Sequence, residues 1–159
     1  MKHIFSYCEL RAFKDSTEKF TIFGANMATR KVEKHVGTAV YVAHAATMKV
    51  FTGCHSLMCA PLQRFLTTSL PYPIETVPLE NMFWVRACDV SVGMKIAIAP
   101  RGPVAPVNIY TPQELGHNLR WDVVTRVCAT SDLEYYGVAV EGCDTYVINN
   151  ILIRSYDKA

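Results

Sequence analysis

The chain has 159 residues, half of them hydrophobic and 19% charged, with a formal net charge of +2. That is the size of one domain, able to bury roughly 68–70% of its unfolded surface without a disulfide or metal staple, and the composition excludes disorder. The densest basic cluster, Arg30-Lys31-Val32-Glu33-Lys34-His35, contains an acid and no aromatic, which speaks against nucleic-acid binding.

In chain order, short runs rich in β-branched and aromatic residues predict strands at 20–23, 39–43, 48–52, 82–85, 95–98, 121–127, 135–140 and 145–153. Cys8 is expected half-buried on a further strand at the start. Residues 60–66 and the Thr111-Pro112-Gln113-Glu114-Leu115 run, with a Thr cap and Pro at the first position, predict single helical turns and no long helix. The Pro-rich stretch 99–106 cannot hold a central strand, since proline lacks the donor. Residues 99–120 therefore read as an extended linker inside a single domain spanning 1–159. Glu141-Gly142-Cys143-Asp144 predicts a turn joining the last two strands as a hairpin. The fold class expected is mostly β, one domain with few helical turns.

No segment approaches the roughly 18 unbroken apolar residues of a membrane-spanning helix, and residues 1–9 carry no apolar secretion core. The six cysteines, Cys8, Cys54, Cys59, Cys88, Cys128 and Cys143, are scattered. They are expected as reduced, largely buried thiols in a cytoplasm-like compartment, with no membrane partner.

Three ordered stretches then resemble one family. The first is Gly53-Cys54-His55-Ser56-Leu57-Met58-Cys59-Ala60-Pro61-Leu62-Gln63-Arg64-Phe65-Leu66-Thr67, similar to a strand-turn segment that carries Thr-x-x-His and an apolar pair. The second, Trp84-Val85-Arg86-Ala87-Cys88-Asp89-Val90-Ser91-Val92-Gly93-Met94-Lys95-Ile96, is similar to Trp-Val-x-Ala-x-Asp-Leu-x-Val-Gly-Asp-x-Ile. The third runs from Tyr135-Tyr136-Gly137-Val138 through Tyr146-Val147-Ile148-Asn149-Asn150-Ile151-Leu152-Ile153-Arg154-Ser155. It resembles the closing segment of an intein.

Over roughly residues 38–155 the chain is identified as similar to the Hint (hedgehog/intein) domain family; residues 1–37 match poorly. The resemblance implies a pseudo-twofold β fold of disc or horseshoe shape. It also implies a minimal form, without the endonuclease that larger inteins carry near the Pro-rich stretch, and a phage- or virus-encoded protein.

Intein chemistry needs an N-terminal Cys or Ser nucleophile, a Thr-x-x-His histidine, and a terminal Asn that cyclises with help from the preceding His. At the matching positions this chain carries Ala60 for Thr, Gln63 for His, Gly137 where Asp is common, Arg154 for the penultimate His and Ser155 for the terminal Asn. Glutamine and arginine do not shuttle protons near neutral pH, and a hydroxyl offers no nitrogen for a succinimide. The resemblance thus implies a non-splicing scaffold that binds another protein and uses no cofactor.

Two alternatives stand beside it. Cys8 as a nucleophile would cleave the chain on its N-terminal side without splicing. Cys54, His55 and Cys59 would supply three soft ligands to a metal or small ligand, although structural zinc prefers four.

Overall fold

The computed structural model describes residues 1–99, 119–131 and 133–155. In chain order its strands are β1 (His3–Ile4), β2 (Lys19–Asn26), β3 (Lys31–Ala45), β4 (Met48–Thr52), β5 (Ser56–Cys59), β6 (Arg64–Thr68), β7 (Met82–Arg86), β8 (Lys95–Ile98), β9 (Arg120–Ala129), β10 (Leu133–Val140), β11 (Thr145–Ile148) and β12 (Ile151–Arg154). The one α-helix among the described residues, α1 (Tyr7–Arg11), is a single turn and a half. Three 3-10 turns, Ile74–Thr76, Leu79–Asn81 and Ala87–Asp89, complete the helical content of the described residues. No described helix is long and apolar enough to cross a membrane.

Two sheets share one bent ribbon. The first has the order β1-β2-β3-β10, and the second runs β11-β12-β6-β8-β9-β4-β5 with β7 beside β6. Two residues separate β3 from β4, and β9 leads into β10 across a similarly short break. Strand β3 pairs antiparallel with β10 while β4 pairs antiparallel with β9, so each long strand passes from one sheet to the other.

The halves exchange under a pseudo-twofold. As β2 pairs with β3 and β3 with β10, so β8 pairs with β9 and β9 with β4. At the two breaks Thr130 donates its N–H to the Thr47 carbonyl at 2.9 Å, and the Thr47 and Thr130 hydroxyls bond each other. A polar tie therefore holds the place where neither ladder can continue.

Strands β8, β11 and β12 are buried on both faces, which is why their sequences are near-continuous apolar runs and not alternating ones, while in β6 the buried Thr67 and Thr68 hydroxyls donate to the Lys95 and Asn81 carbonyls. Phe65, Ile96, Ile98, Tyr146, Ile148, Ile151 and Ile153 fill one core with Ile4, Leu10, Phe20, Val50 and Leu57. Leu66, Ala97, Ala99, Val147 and Leu152 fill a second with Phe23, Val32, Ile74 and Leu119. Each such large side chain contributes about 1.5–3 kcal/mol by leaving water. The two cores share strands, so they stabilise the same elements from opposite sides.

Gly24 sets how closely β2 approaches β11. A Cβ there would lie 2.6 Å from the Thr145 carbonyl oxygen. The closeness lets Thr145 Oγ1 accept from the Ala25 N–H at 2.8 Å and donate to the Ala25 carbonyl at 3.1 Å.

Several expectations are corrected. Residues 145–153 are not one strand: β11 and β12 form a hairpin around Asn149 and Asn150, whose φ values of 51° and 63° give the left-handed pair that a two-residue turn requires. The 141–144 turn exists, with Gly142 at φ 73°, but it does not close a hairpin. It hands the chain from β10, in the first sheet, to β11 in the second.

Residues 60–66 are not helical: a turn at Ala60–Gln63 leads into β6. Cys8 lies exposed on α1, not half-buried on a strand. The helix forms because Ser6 caps it, accepting from Glu9 N–H while the Glu9 carboxylate takes the Ser6 N–H. The thiols are less buried than expected: of the six only Cys59 is buried, and Cys8, Cys54 and Cys88 are exposed. The expected turn at 111–115 and nearly all of the 99–120 linker lie outside the described residues.

Candidate functional site

The site begins with the turn before β6. Gln63 N–H closes it on the Ala60 carbonyl at 3.0 Å. The 3-10 turn Ala87–Asp89 pins it from below: Ala87 N–H donates to the Gln63 carbonyl at 2.7 Å and Cys88 N–H to the Pro61 carbonyl at 2.9 Å. With its backbone fixed on both sides, Gln63 can aim its side chain across the molecule.

The carboxamide joins two distant strands. Gln63 Nε2 donates to the Arg154 carbonyl at 3.0 Å, and Gln63 Oε1 accepts from the Tyr135 hydroxyl at 3.0 Å. The orientation is forced, because a carbonyl only accepts and the amide nitrogen must face it. Tyr135 donates its one proton to Gln63, and the Tyr146 hydroxyl lies beside it. A directed chain results, from Tyr135 through Gln63 to the backbone of Arg154.

Behind the chain the surroundings are dry. Tyr7 stacks on Tyr135 with ring centroids 5.5 Å apart and planes 9° from parallel. Burial drives the Tyr135 hydroxyl well above its ordinary value, and neighbouring Tyr146, Cys59 and Tyr7 add to the shift. Burial likewise raises Tyr146 and Tyr7, and pushes the Cys59 thiol up to about 12. All four groups are therefore neutral at physiological pH. They give and take hydrogen bonds but do not exchange charge.

The end of β12 is held at both poles of one peptide group. The Arg154 carbonyl goes to Gln63 Nε2, and the Ser155 N–H donates to the Asp144 carbonyl at 2.8 Å. The Arg154 guanidinium turns away and sits 5.7 Å over the Trp84 ring, a cation–π contact worth about 0.5–1 kcal/mol where partly exposed.

Of the residues singled out by sequence, the fold brings together Gln63, Arg154 and Ser155, with Ala60 in the same turn as Gln63. Gly137 lies buried on β10, opposite Val40 and two residues beyond Tyr135, and offers no side chain. Cys8 adds nothing to the site: it is exposed on α1, whose neighbouring Tyr7 stacks on Tyr135 and donates its N–H to Asn149 Oδ1 at 2.9 Å.

Cys54, His55 and Cys59, the three soft ligands weighed as an alternative, do not converge. Cys54 is exposed in the β4–β5 turn, His55 Nδ1 faces Asn150 Nδ2 at 3.4 Å, and Cys59 is at the buried end of β5. An extended run from His55 to Cys59 spans about 13 Å at ~3.3 Å per residue. Among the described residues no group of three His, Cys, Asp or Glu is placed to hold a metal.

Tyr135, Tyr146 and Asn149 were not singled out by sequence. Two tyrosines on β strands read as core, and only pairing across sheets shows that the Tyr135 hydroxyl meets Gln63 with Tyr146 beside it. Asn149 carried a readable signal, since Asn-Asn between apolar runs favours left-handed turns.

No family model and no curated protein matches this sequence. Solved structures do. The chain superimposes on a variant of the Ssp DnaB mini-intein with a TM-score of 0.71 at 20% identity, covering 94% of this chain and 84% of that one. A DnaB intein from Synechocystis sp. gives 0.69 at 17% identity, with 93% and 86% covered. The DnaX mini-intein from Spirulina platensis gives 0.59 at 16%, with 85% and 81% covered.

The bent ribbon, the two shared cores and the pseudo-twofold define a Hint-type β domain. Its architecture is that of the mini-inteins.

Proposed function

We propose that this chain is an intein-like domain that no longer splices and serves as a binding or structural scaffold for another protein. One observation carries the reading: the contact between the Gln63 turn and the end of β12 is intact, yet it is made by groups unable to cyclise or to titrate near neutral pH. Gln63 reaches the Arg154 carbonyl as a hydrogen-bond donor. The residue that follows is Ser155, whose hydroxyl cannot form the imide that frees a C-terminal flank. What persists is the shape and its hydrogen bonding.

A reducing, cytoplasm-like setting, as in a phage accessory or virion-associated protein, agrees with six free cysteines of which three are exposed. A protein partner agrees with the groove of about 670 Å³ between β6, β7 and the 91–95 turn, where Phe83 and Val92 are half or more exposed. Cleavage before Cys8 has less support, because Cys8 is exposed inside α1 and the carbonyl before it belongs to the first turn of that helix.

The test is to fuse two foreign domains, one before Met1 and one after Ala159, and follow products by mass. The expected result is no ligated product of the two flanks under any thiol or pH condition between 6 and 9. A ligated product would overturn the reading.

A further inference from the structure

Strand β7 has β6 on one side and, among the described residues, no strand on the other. Where its free backbone groups point follows from its last contact. Ala87 N–H donates to the Gln63 carbonyl at 2.7 Å, one position beyond the Arg64–Arg86 pair. Antiparallel pairing alternates, so Phe83, Val85 and Ala87 exchange bonds with the β6 side while the Trp84 and Arg86 peptide groups point outward. Met82 N–H is already taken by the Leu79 carbonyl. The open edge therefore runs from the Met82 carbonyl to Arg86.

The two faces of this edge differ in chemistry. On one, Phe83 and Val85 line the groove with Val92, Met94, Thr67 and Lys95, and Phe83 is 50% exposed. On the other, Arg64 stands directly opposite Arg86, and the Arg154 guanidinium lies over the Trp84 ring. Of these three arginines only Arg86 has a carboxylate partner among the described residues, Asp89 at 2.9 Å. Like charges directly opposite each other are destabilising, and a carboxylate placed beside them removes that cost.

We propose that β7 takes up an extended segment of a partner protein as a further strand, one whose residues alternate between acidic and apolar. Its backbone bonds the outward Trp84 and Arg86 peptide groups. Its acidic side chains fall beside Arg64, Arg86 and Arg154, and its apolar ones beside Phe83 and Val85, because side chains of neighbouring strands share faces. A second copy of this chain fits less well. It would bring the same arginines to the seam, and charges on an edge strand keep like edges apart. The site rests on the scaffold reading and gives its partner a chemistry.

The experiment uses the full-length chain and a labelled, end-capped peptide of seven alternating Glu and Val residues, read by fluorescence anisotropy. The strand has five residues, so this probe spans it. Saturable binding is expected. A peptide with Lys in place of Glu should bind about tenfold more weakly, as a few exposed ion pairs of about twofold to fivefold each imply. Methylating the central backbone amides of the Glu–Val peptide should weaken it by about threefold to tenfold for each hydrogen bond lost.

The edge can also be closed from the protein side. Arg86 has a φ of −66°, which proline shares. Arg86→Gln removes the charge alone and should weaken binding about twofold to fivefold. Arg86→Pro also removes the outward N–H without touching the β6 ladder, and should weaken it about threefold to tenfold further. Thermal unfolding of both variants separates a closed edge from a lost fold.

No saturable binding of the Glu–Val peptide overturns the proposal, and so does equal binding of its Lys or its methylated form. A dimer of the native chain that Arg86→Pro dissociates overturns it too, assigning the edge to a second copy. In each case a continued absence of ligated flanks leaves the loss of splicing standing. Ligated flanks from a chain that still binds the peptide would overturn the scaffold reading and keep the β7 site.

Discussion

The two ends of β12 are both fastened by a carboxamide, and they differ in what the carboxamide is fastened to. At the start, Asn149 Oδ1 accepts from Tyr7 N–H and Asn149 Nδ2 donates to the Ser56 carbonyl at 2.9 Å, while Asn149 N–H donates to the Phe5 carbonyl. One residue thus knots α1, β5 and the last hairpin. At the other end Gln63 joins a side-chain hydroxyl to a terminal backbone carbonyl. The first knot satisfies backbone groups of three elements. The second spends a buried side-chain network on a single peptide group, and that uneven investment marks it as the site.

The comparison predicts an order of effects. Asn149→Ala should be the most damaging, at about 2–4 kcal/mol by denaturant unfolding, because it strands two hydrogen-bonding groups and puts a left-handed backbone on alanine. Asn149→Gly relieves only the backbone part and should recover about 1 kcal/mol of that loss. If the two variants are equally stable, the knot is not strained in the way described.

Gln63→Leu should cost less, about 1–3 kcal/mol, by leaving the Tyr135 hydroxyl without its acceptor and the Arg154 carbonyl without its donor. A loss larger than that of Asn149→Ala would reverse the comparison.

Alkaline pH sharpens it further. Tyr135, Tyr146 and Cys59 all have raised values in the folded chain. Above their ordinary values of 10.0 for tyrosine and 9.0 for cysteine, the unfolded chain releases protons that the folded chain keeps. Stability is thus fully present below pH 9 and falls as pH rises from there, each group contributing a slope of about 1.4 kcal/mol per pH unit. Tyr146→Phe should lower stability at pH 7 by about 1 kcal/mol and flatten the alkaline slope measured by urea titration. An unchanged slope would mean that Tyr146 ionises freely in the fold.

The smallest effect belongs to Cys8→Ser. An exposed helical thiol tied to neither end of β12 should change stability by less than about 0.5 kcal/mol. It should also leave the intact mass as it is in the native chain. Loss of residues 1–7 in the native chain but not in this variant would restore Cys8 as a nucleophile.

Strand positions were legible because β-branched and aromatic runs announce them: 20–23, 48–52, 82–85, 95–98, 121–127 and 135–140 all fall within observed strands. The helix α1 went unread although Ser6 and Glu9 have capping-box spacing. A helix of one and a half turns has too little apolar period to stand out. The hairpin inside 145–153 went unread because both faces of β11 and β12 are buried, so no alternation marks where the first strand stops.

The site was half legible. Gln63, Arg154 and Ser155 could be singled out, since each replaces a residue type whose chemistry has definite requirements. Their convergence with Tyr135 and Tyr146 could not.

By itself the sequence determined the β class, the run of strands and which chemical groups are missing, because these depend on residue type and on neighbours a few positions away. Only the tertiary structure decided that the 141–144 turn changes sheets, that Cys54, His55 and Cys59 stay apart, and that one glutamine holds the last carbonyl of β12. Those are contacts between residues as far as 91 positions apart. They are set by which faces two shared cores can bury, and no local pattern encodes that.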